Sequence, residues 1–101
     1  MKTIYEAEKY NEADNETIIR VANGSNPNKV ATTIYINITD GKNVTINAIG
    51  AGAVNQSVKA IIIARGMVAR TGNDLYCVPG FDKCDDDNTR TIVKFVLHVR
   101  R

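Results

Sequence analysis

A run of strand-favouring residues, Val44-Thr45-Ile46-Asn47-Ala48-Ile49, passes through Gly50-Ala51-Gly52 straight into a segment with helical spacing. That junction limits the chain to folds in which a strand feeds a helix. From Ala53 onward Val54, Val58, Ile61, Ile62 and Arg65 recur at steps of three and four, and Gly66 stands near the helix end as a hinge or cap. Ile63 falls off this stripe, so the helix is apolar over a wide arc and is expected to be deeply packed. Two glycines let backbone approach a ligand closely, and the first N–H groups of a helix are unpaired donors at the positive end of its dipole. The junction is therefore a candidate phosphate contact, although such turns also serve chain packing alone.

The remaining pattern fills in a layered fold. Thr17-Ile18-Ile19-Arg20-Val21 is short, apolar and β-branched, and Asn23-Gly24-Ser25-Asn26-Pro27 supplies turn chemistry after it. The next segment reads two ways. Val30, Ala31, Ile34 and Ile38 repeat at helical spacing behind Asn26-Pro27, which suits a helix cap and first turn. Thr32 to Thr39 is also rich in strand-favouring residues with a period of two. Length and the start signal favour a helix from about Pro27 to Thr39, ended by Asp40-Gly41. Leu75 to Phe81 makes a third strand, bent by Pro79-Gly80, and Thr91 to Val99 a fourth. In the last strand Val93, Phe95, Leu97 and Val99 share one face, and Lys94, His98 and Arg100 the other. The order strand, helix, strand, helix, strand, strand predicts an α/β sandwich, two helices on one face of a four-stranded sheet. Residues 1–15 are polar and acidic without a sustained period and are expected to form a flexible or loosely docked arm, leaving 16–101 as the domain.

Charge and cysteine content narrow the function classes. The chain carries +2 overall, divided as −3 over residues 1–16 and +5 over 17–101, so the body is mildly basic and suits an anionic partner. No apolar run approaches the roughly 18 residues of a membrane-spanning helix, and no apolar core follows Lys2, so no membrane association and a cytoplasmic location are expected. In that setting the Asn-x-Ser/Thr sequences at Asn15, Asn23, Asn37, Asn43 and Asn55 are a consequence of composition. Cys77 and Cys84, if extended, lie roughly 20 Å apart, too far for a disulfide unless the chain turns back sharply. Neither has a partner at zinc-site spacing, and no motif points to a metal or another cofactor.

Ala48-Ile49-Gly50-Ala51-Gly52-Ala53-Val54-Asn55-Gln56-Ser57-Val58-Lys59-Ala60, followed by Ile63-Ala64-Arg65-Gly66 and by Asp74-Leu75-Tyr76-Cys77-Val78-Pro79-Gly80-Phe81, closely resembles the stage V sporulation protein S family. The likeness covers about Thr17 to Arg100 and includes Ser25-Asn26-Pro27-Asn28-Lys29-Val30-Ala31. It implies an Alba-like two-layer sandwich on a mixed sheet, a helix over 27–39, and a role in regulating bacterial sporulation. Alba proteins are dimeric binders of DNA and RNA. Their surface comprises the loop after the first strand, the turn before the second helix and the final hairpin. In this chain Ser25 and Asn26 stand where archaeal Alba proteins place two lysines, with Lys29 the nearest cation. Gly50, Ala51 and Gly52 replace an arginine-flanked glycine, and Asp82 to Asn88 replaces a basic arm. Fewer phosphate contacts imply weaker, less salt-dependent binding, and Asn and Gln beside backbone donors suit single strands or RNA.

The expected function is thus a homodimeric nucleic-acid-binding regulator, with Asn26, Lys29, Gly50, Gly52, Asn55, Gln56 and Lys59 on a shared surface. Arg65 and Arg70 are second-rank candidates. Tyr35, Tyr76 and Phe81 fit core or interface positions better than base platforms. An alternative is a protein-interaction module using the acidic 82–88 turn or the arm. An enzyme is the weakest reading, because the only histidine, His98, sits on a strand and Cys77 lies in a β-branched context.

Overall fold

The computed structural model describes residues 3–4, 8–11, 15–83 and 90–101, the first two segments and Lys83 as backbone. Strands β1 (Thr3–Ile4), β2 (Glu8–Asn11) and β3 (Glu16–Val21) precede helix α1 (Pro27–Thr39); then come β4 (Asn43–Ala48), α2 (Ala51–Ala69), β5 (Asp74–Lys83) and β6 (Thr91–Arg100). The sheet order is β1-β2-β3-β4-β6-β5. Its body is the expected four-stranded mixed sheet with two helices on one face: β3 and β4 are parallel, while β6 is antiparallel to both β4 and β5. Part of the acidic arm extends this body, since Lys9, Tyr10 and Asn11 pair with Ile18, Thr17 and Glu16.

Alternation explains the strands. Thr17, Ile19 and Val21 of β3, and Val44, Ile46 and Ala48 of β4, are buried under the helices, and the residues between them are not. Ile19, Val21, Val44 and Ile46 meet Leu75, Phe95 and Leu97 from the other strands and Val30, Ala31 and Ile34 from α1. The period-two look of Thr32 to Thr39 is overridden by helix packing. Thr32 and Thr33 donate their hydroxyls to the carbonyls of Asn28 and Lys29, each at 3.1 Å, and Thr39 to that of Ile36 at 2.9 Å, while Ile34 is fully buried.

Helix α2 corrects one expectation. Its buried side is built largely of small residues, Ala53, Ser57, Ala60 and Ala64, with Ile61 and Val68. Small side chains let the helix lie close to α1 and the sheet, so the larger members of the stripe are pushed outward: Val58 is exposed and Ile62 is 64% exposed. A polar pair sits in the core beneath α1. The Thr17 hydroxyl donates to Asn37 Oδ1 at 2.9 Å, and Asn37 Nδ2 donates to the Thr33 carbonyl at 2.8 Å, so neither buried group is left unpaired. At the sheet margin β5 is an edge strand with Pro79 at its middle, opposite Phe95.

Candidate functional site

Because β3 and β4 run parallel, the helices that follow them both begin at the same end of the sandwich. The last residues of β5 and the first of β6 reach that end too, since Ala48 pairs with Val93 and Val93 with Phe81. The loop 22–26, the turn at Gly50 and the base of the final hairpin therefore converge. The hairpin tip, with Cys84 and Asp85-Asp86-Asp87, lies outside the described residues.

The two helix mouths are built differently. At α1, Asn26 holds an extended conformation and its Oδ1 accepts from the N–H of Asn28 at 2.8 Å and of Lys29 at 3.4 Å, with Pro27 in the first turn. At α2, Gly50 has φ 92° and ψ 156°, a region essentially reserved for glycine, and no side chain caps the helix. Gly52 is glycine for another reason. The side-chain oxygen of Asn23 occupies the place where a Cβ would stand. Gln56 reaches across as well: its Nε2 donates to the Ser25 carbonyl at 2.8 Å and its Oε1 accepts from Asn55 Nδ2 at 3.4 Å. Ser25 in turn accepts from the Ala22 N–H at 2.8 Å through its hydroxyl.

Of the seven residues singled out in the sequence, Asn26, Lys29, Gly50, Gly52, Asn55 and Gln56 lie at or just inside the two helix starts at this end, while Lys59 stands about two turns further along α2. Four of them have visible structural tasks, Asn26 as a cap, Gly50 and Gly52 as backbone requirements and Gln56 as a strut. Lys29, Asn55 and Lys59 are exposed to solvent, Lys29 in the first turn of α1 and Asn55 in the second turn of α2. Lys29 and two helix dipoles make the end attractive to anions. The contacts of Asn23 with Gly52 and of Ser25 with Gln56 are what sequence reading missed. The partners lie about thirty residues apart, and an Asn-Gly-Ser turn carries no local signal for such contacts.

Arg65 and Arg70 do not join them. Arg65 Nε pairs with Asp74 Oδ1 at 3.1 Å, while Arg100 Nη2 takes the other oxygen at 3.2 Å, and Arg70 is the residue that closes the far end of α2. The hydrogen bonds from Arg65 and then Arg100 hold the Asp74 carboxyl below its usual range. Among the aromatics, Tyr35 packs against the core, but Tyr76 is exposed and Phe81 is 78% exposed. A cleft of about 670 Å³ lies at the opposite end, between Tyr35, Ile38, Lys42, Val68 and Val99, remote from Gly50, Asn55 and Gln56.

Two nearby reactive residues are kept apart by the sheet. Cys77 faces the helices, where burial raises its thiol pKa, whereas His98 stacks on Tyr76 on the other face. Among the described residues, no three His, Cys, Asp or Glu side chains cluster as metal ligands, and no helix is long and apolar enough to cross a membrane.

A family model described as Stage V sporulation protein S matches residues 17–100. The chain belongs to that family.

Proposed function

We propose that this Stage V sporulation protein S family member is a non-enzymatic, homodimeric nucleic-acid-binding regulator that contacts phosphates or bases through the glycine turn at α2. The observation that supports it best is an uncapped helix start with exposed Asn55 in its second turn, next to a second helix start that carries exposed Lys29. Backbone donors and polar amides in that setting hydrogen-bond phosphates or unpaired bases without demanding a strongly basic surface. Two lysines per subunit predict weak, moderately salt-dependent binding, which pairing of two sites in a dimer strengthens.

Pairing of subunits draws support from the exposed apolar residues. Val58 and Ile62 lie on the side of α2 from which Arg65 reaches Asp74 of β5, and Phe81 projects from that same strand. Aliphatic and aromatic groups this open to water mark a contact surface. Ile62→Asp is expected to shift the protein toward monomer in analytical ultracentrifugation.

Fluorescence-anisotropy titration with RNA, single-stranded DNA and duplex, at low and moderate salt, tests the reading. Lys59→Ala should weaken at least one of the three; no weakening of any removes the leading contact. The exposure of Phe81 also favours a second reading, a protein-interaction module on this scaffold. Capture of a protein partner that survives nuclease treatment, with no nucleic acid bound by the purified protein, would select it.

A further inference from the structure

The face of the sheet opposite the helices carries its own ordered pattern. Register places Arg20, Asn47, Lys94 and Gly80 in one row across β3, β4, β6 and β5. Arg20 is exposed and the others are half-buried. Among the described residues neither Arg20 nor Lys94 meets an acid. Gly80 leaves room for the Lys94 stem, whose Cε lies 3.6 Å from where a Cβ would stand. The next row is Ile18, Thr45, Val96 and Val78, apolar but for one hydroxyl.

Beyond it, Tyr76 and His98 stack with ring centres 5.2 Å apart and 27° between planes, and the Arg100 guanidinium lies 4.6 Å over the Tyr76 ring. Rows on one face are roughly 6.7 Å apart, so the cations and the rings are separated by about 13 Å, a span that a short stretch of extended single strand covers. The acids of this face stand at its margins. Glu16 begins β3, Asp82 sits beside Ile92, and Asp74 is held by two arginines.

We propose that this face, uncovered among the described residues, is a second nucleic-acid contact, selective for single strands, with phosphates on Arg20 and Lys94 and a base stacked on the His98–Tyr76 ledge. The proposal rests on the nucleic-acid reading above and extends it around the end of the sheet, because Asn47 lies three residues before Gly50. Charge selects a polyanion, while apolar and aromatic rows select exposed bases. A duplex keeps its bases stacked inside and gains only the cations.

The test uses labelled oligouridylate and a short duplex with the full chain. The Arg20→Gln, Lys94→Gln double variant should weaken oligouridylate binding about tenfold at low salt and reduce the log–log salt slope by about 1.4, for two phosphates on a single strand. Tyr76→Ala should weaken oligouridylate about fivefold or more and leave the duplex unchanged. Circular dichroism and urea midpoints should match the parent, since these side chains lie on an open face. Oligouridylate affinity unmoved by both variants, but lowered by Lys59→Ala, overturns this proposal and leaves the α2 mouth as the whole site. Equal losses for single strand and duplex overturn the selectivity. A parent protein that binds neither probe sinks the nucleic-acid reading and this face together.

Discussion

The starts of α1 and α2 lie side by side, yet one is closed by its own sequence and the other is left open. Asn26 turns its side chain back to accept from two N–H groups, the ordinary way to finish a helix in water. Gly50 has no such group, and its neighbours brace the turn from outside, Asn23 against Gly52 and Gln56 against the Ser25 carbonyl. A helix end held in place by tertiary contacts, with its donors unused, is better suited to receive an anion than one that satisfies itself.

Substitutions can break this contrast. Gly50→Ala forces a side chain into a backbone region that suits glycine alone, and should cost about 1–3 kcal/mol in urea unfolding. A neutral result would mean that the turn relaxes and is not held open. Asn26→Ala should cost about 1 kcal/mol as a lost cap. Asn26→Asp sharpens the comparison, because it keeps the cap oxygen: stability is retained, while the added negative charge should weaken oligonucleotide binding severalfold at low salt. Lys59→Ala should leave the urea midpoint unchanged and reduce affinity a few fold, with the salt slope falling by about 0.7 to 0.9.

The smallest expected effect concerns pH. Asp74 has a lowered pKa in the folded protein, so its contribution is present above the ordinary value of 3.8 and is lost as pH falls through the folded value. Asp74→Asn should slightly flatten the acid limb of the stability profile and leave neutral pH nearly untouched. The group is open to solvent, so a large change would indicate a contact beyond the two arginines.

Much of this was legible because local chemistry and tertiary packing agree. Asn26-Pro27 fixes where α1 starts, and the alternation in β3 and β4 marks their buried faces. The threonine-rich end of α1 read both ways, and burial of Ile34 decided it. The direction of α2 was read less well, since Val58 and Ile62 repeat like core residues while the packed side is alanine and serine. Periodicity shows which residues share a face, not which face is inside. Polar contacts across the fold escaped altogether. Thr17 with Asn37, and Gln56 with Ser25, join residues 20 and 31 positions apart, with no signature in either segment. The candidate positions were therefore legible as a set, but which of them brace the turn came only from geometry.

Pro79, at the centre of the outermost long strand, sets a rule for how copies of this protein can meet. A proline has no amide hydrogen to offer, so a neighbouring strand laid along that margin would meet a break in the row of donors. A gap in the row of donors along that margin discourages growth of the sheet from one copy to the next into fibres.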